Sequence, residues 1–158
     1  MDFKFTEENI GKVSRIIQRY PEKKAAVMPV LYVAQEQNGG WISNEVVKSV
    51  SQVLEITEEE VMGVVTFYTM YHQKPVGKYH IQFCTNVSCM LRGAYPIWDS
   101  IREKLGIDNG GVTGDGKYSL EEVECMGSCG TAPMMAINED FFENLTKDEA
   151  LRIIESLK

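Results

Sequence analysis

The residues in this sequence best suited to chemistry are its four cysteines, Cys84, Cys89, Cys125 and Cys129. Four residues separate the first pair, thirty-five separate the two pairs, and three separate the second pair. Four thiolates without a fitting histidine suit either a structural zinc ion or an iron–sulfur cluster. The opening residues show none of the basic and apolar segments of a secretion signal, so we expect a reducing, cytoplasmic compartment and no disulfide framework.

The segments around the cysteines distinguish the two kinds of site. They are rich in small residues, which let backbone N–H groups approach bridging sulfides: Thr85, Asn86, Ser88, Gly127, Ser128, Gly130 and Thr131. Structural zinc sites favour tighter knuckles, whereas a 2Fe–2S cluster needs two thiolates for each iron. Two loops with two cysteines each supply that symmetrically. The spacing therefore favours a cluster and leaves zinc open.

The elements that position these cysteines follow from hydrophobic periodicity in the second half of the chain. The pattern predicts a strand over 78–84, a helix over 90–105 and a glycine-rich loop over 108–116. Strands follow over 118–124 and 134–138, and then a hairpin into Phe141 and Phe142. A capping box of Thr146 and Glu149 begins the last helix. The strands on either side of a right-handed crossover are parallel, so their carboxyl ends lie at one sheet edge. Cys84 ends the first strand, Cys89 opens the helix and Cys125 ends the second strand, so the two cysteine-bearing loops should meet.

The first half of the chain has helical periodicity throughout. Four helices are predicted between residues 6 and 70, with a kink at Pro29 in the second and a capping box of Thr57 and Glu60 at the fourth. The run Pro75–Gly77 is a turn or linker signal. The predicted fold class is α+β: an N-terminal helical bundle over 1–74, followed by a thioredoxin-like α/β domain with a mixed sheet over 75–158.

Composition excludes several classes of function. Hydrophobic residues make up 44% and charged residues 25%, which is typical of a globular protein. The formal net charge is −7, so the surface repels phosphate backbones and nucleic-acid binding is not expected. No apolar run approaches the ~20 residues that span a bilayer, so direct membrane insertion is not expected either.

Other chemical motifs are incomplete. The run Gly111–Lys117 resembles a phosphate-binding loop, but Tyr118 stands where such a loop needs Ser or Thr. A surface loop is the simpler interpretation. The only histidines are His72 and His80, and neither is expected to be a metal ligand because four thiolates complete a site. No GxGxxG nucleotide-binding motif occurs.

The cysteine segments Cys84–Gly93 and Cys125–Pro133 closely resemble those of the E subunit of NADH–quinone oxidoreductase, a component of respiratory complex I. They also resemble the equivalent subunit of NAD-linked hydrogenases and formate dehydrogenases. The segments Asn38–Trp41, Val64–Tyr68 and Pro75–His80 look like the family's other signatures, in the same order. The resemblance thus covers nearly the whole chain.

The resemblance implies a thioredoxin-like ferredoxin with one 2Fe–2S cluster, held by the four cysteines. It implies a partner F subunit that holds FMN and NADH, and further peripheral-arm subunits. The chain is then a non-catalytic electron-transfer subunit that accepts electrons from the flavin, in the cytoplasm and peripheral to the inner membrane. The alternative is a zinc-stabilised thioredoxin-like interaction module without redox activity. We expect Met134, five residues after Cys129, to shield the metal from water.

Overall fold

A computed structural model of the chain describes residues 2–158, and its packing divides the chain after Pro75. Each part has its own apolar core. Val30, Leu31 and Val50 are fully buried in the first, and Ile81, Phe83 and Leu120 in the second. No helix among residues 2–158 has the length and apolar character needed to cross a membrane.

The first part is helical. Its α-helices are α1 (Glu7–Ile17), α2 (Val27–Gln37), α3 (Asn44–Leu54) and α4 (Glu58–Phe67). Side-chain oxygens cap three of them: Thr6 accepts from the Asn9 N–H, Ser43 from the Val46 N–H and Thr57 from the Glu60 N–H. The predicted capping box of Thr57 and Glu60 is confirmed, because the Glu60 carboxylate also accepts from the Thr57 N–H at 3.1 Å.

The predicted kink at Pro29 is wrong. A short 3₁₀ turn, Lys23–Ala26, precedes α2, so Pro29 lies in the first turn of a helix that begins at Val27. The first backbone N–H groups of a helix have no partner within the helix. Proline therefore costs little at this position, and it favours the start of a helix over a bend.

The second part is a five-stranded mixed sheet with helices. The strands are β1 (Tyr79–Cys84), β2 (Gly111–Val112), β3 (Tyr118–Val123), β4 (Met135–Ile137) and β5 (Asp140–Phe142), in the order β2-β3-β1-β4-β5. The helices are α5 (Val87–Leu91), α6 (Ala94–Leu105) and α7 (Lys147–Ser156). β1 and β3 are parallel, and the other three pairings are antiparallel. The predicted α+β, thioredoxin-like class with a mixed sheet is confirmed.

Two predicted elements differ in detail. The helix expected over 90–105 is two helices, α5 and α6, separated at Gly93, whose φ of 88° favours glycine. The glycine-rich loop contains β2, a two-residue edge strand paired with β3. So short a strand has no alternating apolar pattern, which is why periodicity missed it.

Pleating separates the two faces of the sheet. Phe83 faces the apolar core, with its ring centroid 6.1 Å from that of Trp98 in α6. His80, three residues earlier on the same strand, has its ring nitrogens paired with side chains of β3. Its Nδ1 lies 2.8 Å from the Ser119 hydroxyl and its Nε2 lies 3.0 Å from the Glu121 carboxylate. These pairs join the two parallel strands that carry the cysteine loops.

Gly77, which lies just before β1, can be used to test how closely this segment approaches β3. A Cβ atom at Gly77 would lie 2.4 Å from the carbonyl carbon of Tyr118 and 2.6 Å from the Ser119 nitrogen. Because both atoms are backbone, Gly77→Ala should destabilise the chain by about 1–3 kcal/mol. The measurement is urea unfolding followed by circular dichroism. Gly114→Ala is the control, since no described atom lies within 4 Å of its Cβ position; equal midpoints for the two variants would contradict the expectation.

Candidate metal centre

The strand register brings the two cysteine-bearing segments to one sheet edge. Cys84, the last residue of β1, pairs with Val123, the last residue of β3, and Cys125 follows two residues later. The Cys84 thiol lies 3.7 Å from the Glu124 carbonyl oxygen, to which it donates. The Cys84 N–H donates to the Met134 carbonyl at 3.2 Å. The expected parallel arrangement of β1 and β3 is confirmed, and the residues before β4 join the same edge.

The first cysteine pair is buried. Cys84 is 4% exposed and Cys89 is 2% exposed. Cys89 lies inside α5 and does not open a helix as predicted, because the helix begins earlier, at Val87. Asn86 caps this helix, with its side-chain oxygen accepting from the Val87 N–H at 2.6 Å. An asparagine cap is as strong a helix start as serine or threonine, and the sequence-based boundary overlooked it.

The second pair lies at the surface. Cys125 and Cys129 are exposed, and their sulfurs are 4.0 Å apart. Gly127 lies between them with φ at 84°, and its N–H donates to the Cys125 sulfur at 3.3 Å. This is the kind of backbone donation that the small residues of the loop predicted. Cys129 begins a 3₁₀ turn, Cys129–Thr131.

The thiols of the two pairs interact. Burial raises the pKa of the Cys89 thiol to about 11, and the neighbouring Cys84 thiol adds to the rise. The Met134 backbone N–H acts in the opposite direction because it stabilises the thiolate, while the charge of Cys129 raises the pKa further. The two pairs also come together in the packing, because α5, which carries Cys89, contacts the 3₁₀ turn Cys129–Thr131.

Hydroxyl groups tie both segments to carboxylates. The Thr85 hydroxyl donates to Glu122 on β3 at 2.6 Å, and the Thr131 hydroxyl donates to Glu143 at 2.5 Å. The backbone N–H of Asn144 also donates to the Thr131 carbonyl, at 2.7 Å. Sequence reasoning missed both carboxylates, because partners 37 and 12 residues apart follow no local pattern.

The donor set fits a binuclear iron–sulfur group. A tetrahedral zinc ion with Zn–S bonds of ~2.3 Å needs every sulfur about 3.8 Å from the other three. Among residues 2–158, no three of the four cysteine sulfurs lie within 4.8 Å of one another. Two separate pairs suit two irons, each taking two thiolates.

The segment Gly111–Lys117, which resembles a phosphate-binding loop, forms a short strand and a turn. Its first residues form β2, and its polar groups bond to each other. The Asp115 carboxylate accepts from the Thr113 hydroxyl at 2.5 Å and from the Lys117 N–H at 2.9 Å. The segment is thus a hydrogen-bonded turn that joins β2 to β3.

Comparison with known proteins places this chain in a family. The model of the thioredoxin-like [2Fe-2S] ferredoxin family matches residues 13–158. The E subunit of the NADH-quinone oxidoreductase of Rickettsia bellii is 43% identical over 99% of this chain and 95% of its own length. The mitochondrial NADH dehydrogenase [ubiquinone] flavoprotein 2 of Dictyostelium discoideum is 41% identical over 99% of this chain and 64% of its own length.

A solved structure shares the fold. A chain of an NAD+-reducing [NiFe]-hydrogenase in the air-oxidized state aligns with a TM-score of 0.69 and 22% identity, over 79% of this chain and 22% of that one. The site and the family match together define the class of protein, a thioredoxin-like ferredoxin. The chain belongs to the thioredoxin-like [2Fe-2S] ferredoxin family, and it resembles NADH-quinone oxidoreductase E subunits over nearly its whole length, as its motifs predicted.

The burial difference predicts different thiol reactivity. In the reduced, metal-free chain, iodoacetamide should alkylate Cys125 and Cys129 first, because both are exposed. Cys89 should stay slow at pH 8 and accelerate only as pH rises towards about 11, since the thiolate is the reactive form. Peptide mass spectrometry across a pH series measures both rates. Equal rates for Cys89 and Cys125 at pH 8, with circular dichroism still native, would contradict the assignment.

Proposed function

We propose that this chain is an electron-transfer subunit of an NADH dehydrogenase complex, carrying one 2Fe–2S cluster on Cys84, Cys89, Cys125 and Cys129. The observation that carries the proposal is the meeting of two cysteine pairs at one sheet edge, with the register of β1 and β3 fixing their positions. One pair binds each iron. The bound cluster supplies one-electron oxidation and reduction.

The chain's own residues do three things at this site. Cys84 and Cys89 would hold one iron from within the apolar cluster to which both belong. The backbone N–H groups of Gly127 and Met134 stabilise negative charge on sulfur. Met134 is 1% exposed and remains our candidate for the apolar shield beside the metal.

The flavin and the nicotinamide belong to a partner in this proposal. Hydride transfer from NADH moves two electrons, whereas a 2Fe–2S cluster takes one, so a two-to-one converter must lie next to the chain. The relatives' names describe oxidoreductases of NADH and of NAD+. We therefore assign FMN and NADH to a partner F subunit, in a peripheral arm with further subunits, on the cytoplasmic side of the membrane.

Cysteine replacement tests the ligand assignment. Changing any one of the four cysteines to Ala removes one of two thiolates on an iron, so the variant should lose or grossly alter the cluster. Iron and zinc content, together with the visible absorption spectrum, measure the result. Ser88→Ala, next to Cys89, is the matched control and should keep the wild-type spectrum. Two irons and native absorption would exclude that cysteine as a ligand, and a colourless wild-type chain with bound zinc would favour the zinc-stabilised module.

Reduction by NADH tests whether the hydride acceptor lies on the partner subunit. Dithionite should reduce the cluster of the purified chain, while NADH should leave it oxidised because the chain lacks a hydride acceptor. Adding the F subunit should make the cluster respond to NADH, within the limit set by its potential. Electron paramagnetic resonance of the reduced cluster measures each case. Direct NADH oxidation by the single chain would overturn this assignment.

A further inference from the structure

We infer that Glu143 is a positioning residue for the cluster, because its carboxylate holds the exposed loop that carries Cys125 and Cys129. This inference rests on the proposed cluster. It concerns a residue outside the cysteine motifs, directly after β5, that reaches back to the cysteine loop. Nothing in the four-cysteine pattern requires a carboxylate at this position.

Glu143 contacts the 3₁₀ turn that begins at Cys129. Its Oε1 accepts the Thr131 hydroxyl at 2.5 Å. The Thr131 and Ser128 side chains lower the pKa of Glu143, so it is anionic at neutral pH. Thr131, two residues after the ligand Cys129, is thereby tied to Glu143, and its hydroxyl and N–H also donate to the Ser128 carbonyl.

The loop needs such a contact more than the first cysteine segment does. Cys84 and Cys89 are held by β1, α5 and the apolar core, whereas Cys129 lies in a three-residue 3₁₀ turn at the surface. Such turns have poor hydrogen-bond geometry and little stability of their own. Glu143 therefore links the β4–β5 hairpin to the part of the site with the least support.

The same carboxylate places a negative charge on the loop that carries the exposed cysteines. An added electron makes an already anionic cluster more negative, so a nearby anion disfavours reduction. Glu143 thus has two separable effects, one on loop order through its hydrogen bonds and one on the reduction potential through its charge.

Variants of the cluster-loaded chain separate these effects. Glu143→Ala removes both acceptors, and Glu143→Gln keeps the shape but offers one acceptor oxygen without charge. The rate of cluster loss to an iron chelator, followed by visible absorption, should rise about three- to tenfold in Glu143→Ala and less in Glu143→Gln. The midpoint potential in a redox titration should become more positive in both. Glu139→Gln, which removes the same charge from the turn of the same hairpin, should change neither quantity to this extent.

A second pair of variants tests the contact from the loop side. Thr131→Val removes the hydroxyl and keeps the Glu143 charge, so it should speed cluster loss and shift the potential less than Glu143→Gln does. Thr131→Ser restores the hydroxyl and should restore the wild-type rate. Wild-type rates and potentials in Glu143→Gln, Glu143→Ala and Thr131→Val would overturn this inference while leaving the cluster intact. A wild-type chain that binds no cluster would instead overturn the proposed function.

Discussion

The parallel pairing of β1 with β3 is the constraint on which the metal centre depends. The register sets Cys84 opposite Val123, so the two segments leaving the sheet start side by side. A shift of one residue would turn every side chain of a strand to the other face. Such a shift would take Phe83 out of the core and Cys84 away from Cys125. The apolar core that fixes the register therefore also fixes the geometry of the ligands.

The sequence predicts the elements with strong periodicity or strong caps. The alternation along Tyr79, Ile81 and Phe83 predicted β1, and the Thr–Glu pairs predicted the starts of α4 and α7. The predictions that were wrong have local causes. Pro29 is compatible with a first helical turn as well as with a kink, and composition alone does not separate the two. β2 forms by pairing with β3, and its two residues are too few to show an alternating apolar pattern.

The candidate site, too, is only partly predictable from the sequence. Thiols at this spacing have few structural uses, so the four cysteines could be singled out directly. Their environments could not, because burial of Cys89 and exposure of Cys129 depend on the tertiary packing of α5 and of the 3₁₀ turn. The carboxylates of Glu122 and Glu143 come from separate elements, and only the folded chain shows that each accepts a threonine hydroxyl next to a cysteine loop.

Met134 and Met135 are adjacent in the sequence, but the fold gives them different contacts. Met135 lies opposite Phe83 in the register of β4 with β1, so it shares the face that packs into the apolar core. Met134 precedes the strand and belongs to the same apolar cluster as Cys84 and Cys89. Its carbonyl accepts from the Cys84 N–H at 3.2 Å, and its backbone N–H lowers the pKa of the Cys89 thiol. The backbone of Met134 therefore acts on both buried cysteines, whereas the register sets Met135 opposite Phe83.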